Sequence, residues 1–264
     1  MTAAHPRPNR SFAGVLSDRY ADGLDSVLVV GDVTLDIDSF HEQVKERDGF
    51  PVLKRVREET RYGCAAAIAD MLRAMDVPAT VASDNTFHSI KHRIIVGDEV
   101  LCRLDEDFKA APPTDLPPAA LILIADYDKG VVTPHTINRV AKLYEGKQII
   151  ADWHPNRPRK FYHCATALKA SWDCPTDVGV PLIRTLGPCG MVCYVDGREH
   201  RFPALNHNAL DPCGAGDMVL ATLGAGRLRG LSWFDCCRWA SENAAIVCER
   251  WGSVAAVKAQ EAAA

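Results

Sequence analysis

Short, mostly apolar runs at wide spacing constrain this chain more than any other feature. Residues 27–30 (VLVV), 79–82, 121–125 (LILIA), 148–151 and 182–186 are each four or five residues long. That is the length of a strand, and the lack of polar alternation means a strand covered on both faces. Helical segments lie between the runs. Over residues 61–75, Ala65, Ile68, Ala69, Leu72 and Met75 recur at helical spacing. Thr133 and Pro134 open a helix to residue 144, with Thr as N-cap and Pro in the first turn. Strands alternating with helices specify an α/β architecture with a mostly parallel central sheet. Helices over 214–229 and 232–250 follow, the second with Ser232 as N-cap and Asp235 three residues on. Two hairpins are additions to that core: Gly97-Asp98 joins 90–96 to 99–104, and Asp196-Gly197 joins 191–195 to 198–202.

Charge narrows the function. Thirty Lys and Arg stand against 34 Asp and Glu among 264 residues, a net charge of -4. Such a chain does not hold nucleic acid by bulk charge, so any anion must be held by a local site. The longest strictly apolar stretch, 119–125, is far short of the roughly 20 residues that span a bilayer, and no membrane partner is expected. Residues 1–25 lack an apolar signal core and read as a polar, poorly ordered leader. The ten cysteines form no C-x-x-C pair, and Cys236 and Cys237 are adjacent. That suits neither zinc nor a disulfide framework. Cys102, Cys193 and Cys248 lie in apolar stretches, and buried thiols in a reducing cytoplasm are expected. The sequon at Asn9 then carries no meaning. The nine histidines show no metal spacing; His207 reads as a loop residue or a neighbour of the site below.

Chemistry concentrates in Asp211-Pro212-Cys213-Gly214-Ala215-Gly216-Asp217, just before an apolar helix. Small residues let the backbone approach a ligand, and N–H groups at a helix N-terminus favour an anion. A carboxylate beside them, Asp217, can take a proton from a hydroxyl while the amides stabilise charge on the group attacked. The plain alternative is an acidic first-turn residue on an ordinary helix.

This segment resembles the C-terminal motif of the ribokinase-like, PfkB-type carbohydrate kinases. Six other stretches, in family order, resemble the branch that phosphorylates heptose 7-phosphate. They are Val29 to Asp36 (VVGDVTLD), Phe50-Pro51-Val52-Leu53, the pair His92 to Val96 and Leu101 to Asp105 (with its RLD), Ala125 to Gly130 against SDYxKG, Asp152 to Asn156 against DPHP, and Leu186 to Met191 against a T-x-G-x-x-G loop. Arg250-Trp251-Gly252 ends the last helix as the family does. The resemblance implies a three-layer α/β/α sandwich over 26–258, with a β lid from about 37–62 and 90–105.

It also implies transfer of the γ-phosphoryl group of ATP to a sugar hydroxyl, with Mg²⁺ bridging phosphate oxygens. Asp217 would be the base, and the amides of Gly214, Ala215 and Gly216 the anion hole. Thr185, Gly187 and Gly190 would border the ATP phosphates, and Asn243 the adenine pocket. Asp32, Asp36, Gly63, Cys64 and Asp126 would line the sugar site. Arg103 and Lys129 read either as clamps for a phosphate already on the substrate or as surface cations. The basic run 156–160 reads as a solvated loop or a phosphate contact. Pairing of lid strands would make a homodimer.

The pattern is broken in places. The family's GGAAN is here Gly63-Cys64-Ala65-Ala66-Ala67. The segments 82–90 and 170–182 are short, and the second lacks the N-x-x-E element that organises Mg²⁺, leaving Asp173 and Asp177 as stand-ins and the metal ligands unassigned. Met218 follows Asp217 where Thr is usual. A kinase for a sugar phosphate is the first expectation. A non-catalytic sugar- or nucleotide-binding relative, or a kinase for another sugar or a nucleoside, is the alternative.

Overall fold

The computed structural model describes residues 25–84, 86–205 and 209–252. All but the last residue of the expected leader, and His207, lie outside them. The chain opens with β1 (Val27–Gly31), β2 (Val33–Arg47), β3 (Phe50–Cys64), α1 (Ala65–Ala74), β4 (Ala79–Ala82), β5 (Ser89–Val96) and β6 (Glu99–Asp107). It continues with β7 (Leu121–Ala125), α2 (Pro134–Leu143), β8 (Gln148–Asp152), β9 (Ala167–Ala170) and β10 (Leu182–Thr185), then β11 (Met191–Val195), β12 (Arg198–Phe202), α3 (Ala215–Leu228) and α4 (Trp233–Val247).

Eight strands form the main sheet in the order β12-β11-β10-β9-β8-β7-β1-β4. All run in one direction except β11, which pairs antiparallel with both β10 and β12. The apolar runs are its centre, and their side chains alternate between two cores. Val27, Val29, Leu121 and Leu123 face the core built with α1, α3 and α4, while Leu28, Val30, Ile122 and Ile124 face the core that includes α2. This is the period-2 geometry of a strand covered twice. The chain turns one way from β1 to β4 and the other way from β7 onward. With right-handed crossovers, that reversal puts α1 and α2 on opposite faces. It also opens a crevice at the carboxyl ends of β1 and β7, where ligands bind in such sheets.

A second sheet, β3-β2-β5-β6, stands above this crevice. Its register puts Asp36 opposite Lys91, Asp38 opposite Arg93, and Arg93 opposite Arg103. Thr34, Asp36 and Asp38 therefore share one face with Lys91, Arg93, Arg103 and Asp105. The first helix begins four residues later than its apolar spacing suggests. Tyr62, Gly63 and Cys64 stay in the ladder with β2, and Cys64 turns the chain at φ +57°. Among the described residues no helix is long and apolar enough to cross a membrane. All ten cysteines are free; Cys102, expected inside, is exposed on β6.

Candidate active site

The α3 N-terminus is built as an anion cradle. Gly214 takes a left-handed conformation (φ +85°) and starts the helix. The Ala215 amide donates to Pro212 O at 3.2 Å, so it is less available than the sequence suggests. The amides of Gly214, Gly216 and Asp217 have no partner among the described residues. The half-buried Asp217 carboxyl faces the crevice, and the Tyr127 hydroxyl donates to its Oδ1. Burial pushes this carboxyl up to about 6, against the Tyr127 hydrogen bond and the nearby Lys169 ammonium, which favour the charged form. Tyr127 is a site residue that sequence reasoning did not single out. Its place after β7, at the crevice, was the available signal.

On one side of the cradle lies a largely apolar chamber of about 480 Å³, lined by Ala215 and Gly216 and by Thr185, Gly187 and Gly190. Gly190 is required there. Its φ is +86°, and a Cβ would lie 2.1 Å from Phe202 O. Asn243 does not reach this chamber. It is buried, with Nδ2 donating to Thr222 Oγ1 at 3.1 Å, inside the α3–α4 packing. Its neighbours Ser241, Ala244 and Ala245 line the chamber instead, and the buried Ser241 Oγ has no partner among the described residues.

On the lid side, Asp36, Gly63 and Cys64 come together as expected. A Cβ on Gly63 would lie 2.6 Å from Asp36 Oδ2, so glycine keeps this corner open. Thr34 Oγ1 donates to Asp36 Oδ1 at 2.8 Å. Lys91, another residue the sequence reading passed over, reaches in from β5. Its Nζ lies 3.6 Å from Cys64 Sγ and 5.6 Å from the Tyr127 ring centroid. Two expected sugar ligands are structural. Asp32 is fully buried and engaged by three backbone amides, Oδ2 taking those of Tyr127 and Lys129 and Oδ1 that of Val131, so it shapes the loop after β7 rather than facing solvent. Asp126 is likewise engaged by the Tyr162 hydroxyl at 2.7 Å, Arg157 Nε and the Asp128 amide. The two expected clamps already hold carboxylates: Lys129 pairs with Asp107 at 2.7 Å, and Arg103 with Asp105. Arg157, in the basic run, pairs with Asp126 and Asp128.

A buried ionic chain fixes the lid to the cradle. Arg93 gives two hydrogen bonds to Asp38 (2.7 and 2.8 Å) and two to Asp211 (2.9 and 3.0 Å). Arg61 joins at Asp38, and the Cys213 and Gly252 amides join at Asp211. Asp211 thus holds the loop that precedes the cradle.

Among the described residues, side chains alone do not build a site for Mg²⁺, and the carboxylates nearest the cradle are Asp126, Asp152 and Asp217, which line one cavity. No group of three His, Cys, Asp or Glu side chains converges among the described residues. Asp173 is exposed and pairs with Arg184, Asp177 lines a separate cavity, and Asp152 holds Lys169 at 2.8 Å.

Residues 177–260 match the family described as pfkB family carbohydrate kinase. The D-beta-D-heptose 7-phosphate kinase of Bordetella bronchiseptica is 27% identical, over 86% of this chain and 92% of its own. The bifunctional protein HldE of Helicobacter pylori strain 26695 is 23% identical over 88% of this chain, which spans 65% of that relative's length. Ribokinase from Thermotoga maritima superposes with a TM-score of 0.69 at 14% identity, covering 89% of this chain and 97% of its own. The nucleoside kinase of Methanocaldococcus jannaschii gives 0.65 at 16%, covering 88% and 94%. The chain is thus similar to pfkB family carbohydrate kinases over residues 177–260 and to a heptose 7-phosphate kinase over most of its length, it has the fold of the ribokinases, and these likenesses support a phosphotransferase.

Proposed function

We propose that this protein transfers the γ-phosphoryl group of ATP to a hydroxyl of a sugar that already carries a phosphate, a heptose 7-phosphate or a near analogue. The observation that carries the reading is the position of Asp217, beside unpaired amides and between an apolar chamber and the polar face of a lid. ATP suits the chamber that Thr185, Gly187 and Gly190 border, and ribokinases of the same fold are described with ATP and ribose, and with ADP. The name of the Bordetella relative supports the acceptor class.

The ionised Asp217 takes the proton of the acceptor hydroxyl as that oxygen attacks phosphorus. The Gly216 and Asp217 amides bear the charge on the phosphoryl oxygens, and transfer of this kind depends on positioning and charge rather than covalent help. Tyr127 holds Asp217 through one oxygen, which leaves the other for the acceptor. Asp36, with Gly63 leaving room, accepts from sugar hydroxyls. Mg²⁺ bound to the nucleotide would supply neutralisation of phosphate charge. Ten free thiols suit a reducing compartment, and we place the protein in the cytoplasm.

ADP release with a panel of phosphorylated and free sugars tests the reading. Asp217→Asn should lower kcat by about 10²–10⁴, the range a general base contributes. Equal turnover in both proteins would remove Asp217 from its role. A second reading, a relative that binds without turnover, is favoured by the Tyr127 hydroxyl already seated on Asp217. Nucleotide binding with no ADP release on any sugar would establish it.

A further inference from the structure

Among the described elements, the lid joins the main sheet through four stretches of chain, at β1–β2, β3–α1, β4–β5 and β6–β7. Three of them meet on one fully buried side chain, His88, just before β5. The parallel ladder of β2 with β5 begins at Thr34 and Ser89, and His88 extends it inward by a rung. Its amide donates to Val33 O at 2.7 Å and its ring Nδ1 accepts from the Val33 amide at 3.0 Å, so one residue takes both backbone groups of Val33. Its carbonyl accepts the Phe108 amide at 2.7 Å, where β6 leaves the lid. Because Nδ1 accepts, the ring proton sits on Nε2, which donates to Asp84 Oδ1 at 2.6 Å. Asp84 also takes the Thr86 amide and hydroxyl and, on Oδ2, the Ala111 amide of the β6–β7 stretch. Burial would raise this carboxyl, but the donors from His88, Ala111 and Thr86 hold it well below its ordinary value, so it stays an acceptor. None of the elements lies in 83–88, and these side chains fix the path of that stretch instead.

We propose that His88, aimed by Asp84, is a positioning residue for the acceptor sugar: it sets the root of the lid and so the place of the sugar corner relative to the cradle. Thr34, next after Val33, holds Asp36 at 2.8 Å, and β5 runs from His88 to Lys91, opposite Asp36 in the register. A shift at the root therefore carries both sides of the sugar corner. The nucleotide chamber is lined by none of these residues. The inference rests on the kinase reading above and names what registers its sugar side. If His88 served only to fill the interior, its loss would weaken nucleotide and sugar alike; a lid root is felt by the sugar alone.

Kinetics with a heptose 7-phosphate as acceptor, calorimetry with ADP, and hydrogen exchange read by mass spectrometry separate these roles on the full chain. His88→Ala should raise the acceptor KM about tenfold, the size of a lost buried hydrogen bond, and leave kcat and the ADP Kd within about twofold. It should speed exchange in β2 and β5 and not in β7. His88→Asn puts a carbonyl oxygen where Nδ1 lies and should restore the KM; His88→Gln, whose amide reaches the Nε2 position instead, should not. Those two variants carry the test where His88→Ala fails to fold. An unchanged KM, an equal loss for ADP, or a KM raised equally by Asn and Gln overturns the assignment and leaves the kinase reading standing. Unchanged exchange at the lid root in the variants overturns it whether or not the protein turns over. A wild-type protein with no turnover on any phosphorylated or free sugar overturns the kinase reading, and the role in placing a sugar with it.

Discussion

Cys64 holds a backbone that glycine adopts far more readily than any other residue. Its φ of +57° with ψ of -126° lies outside the regions open to L-residues with a Cβ. It stands where the kinases it resembles carry the second glycine of a pair, and it lies at the sugar corner with Thr34 and Lys91. Cys64→Gly and Cys64→Ala both delete the buried thiol, but only the first removes the strain. Cys64→Gly should therefore be more stable than Cys64→Ala by about 1–3 kcal/mol, read as a gap of several degrees between their thermal midpoints. Asp217 makes a second expectation at this scale. Burial raises its pKa to about 6, and the base works only when ionised. Wild-type kcat/KM should thus rise with pH along a limb centred near 6, with activity lost below it as the carboxyl protonates. A flat profile across that limb would exclude Asp217 as the titrating base. Asp217 could be picked out from its own segment because a helix start with small residues fixes its geometry locally, whereas Gly187, Gly190 and Asp36 were named only through the family resemblance. Tyr127, Lys91 and Lys169 were not legible, because each looks ordinary in its own segment and gains its role from strands far apart in sequence. Asp32 and Asp126 were misread for the converse reason. A carboxylate in a loop after a strand serves backbone amides as well as it serves a sugar, and only the fold shows which.

At the scale of elements, the lid depends on one buried cation. Arg93 binds both Asp38 on β2 and Asp211 before the cradle, so it ties the lid sheet to the loop that leads into α3. Removing one partner of a buried ionic group leaves uncompensated charge, and Arg93→Met should cost about 3–5 kcal/mol of stability. Urea unfolding measures this, and a loss under about 1 kcal/mol would show that the chain is a surface pair in effect. The same clamp sets a pH response. Burial alone would raise the Asp38 carboxyl, but hydrogen bonds from Arg93 and Arg61 overcome it and hold the group below its ordinary value. A lowered folded value adds stability above the ordinary carboxylate range, and that stability drains away as pH falls through the folded value. Much of β2 was readable in principle. Val33, Leu35 and Ile37 alternate with Thr34, Asp36 and Asp38, the period of a strand. Its polar set is buried as deeply as its apolar set, so it does not look like a half-exposed strand, and only the partners across the sheet account for it.

For the whole molecule, the order of strands and helices was legible because each apolar run is a strand and each gap holds its crossover. The assembly state was not, because the chain alone does not say what covers its edges. The lid ends in two edge strands, β3 and β6. All of β6 is exposed, with Val100, Leu101 and Leu104 among its large apolar side chains, and Leu104 is 57% exposed. The β2–β3 arm adds Val44, Val56 and Phe50, the last 72% exposed. A long edge strand with open backbone groups and apolar side chains is a pairing site, and natural proteins cover or charge such edges when they stay single. Here Asp105 and Arg103, the charges nearest Leu104 on β6, already neutralise one another and do little to repel a partner. We propose that the lid arms pair edge to edge with a second copy of the chain. Light scattering should give twice the chain mass of 28.8 kDa at micromolar concentration. Leu101→Asp with Leu104→Asp, which puts charge on the exposed edge and leaves the cradle untouched, should return the protein to a monomer. Because the polar face of the same lid carries Asp36 and Lys91, that monomer should also bind its sugar more weakly while keeping its affinity for ADP. A wild-type monomer, or a charged-edge variant that stays dimeric, would place the interface elsewhere.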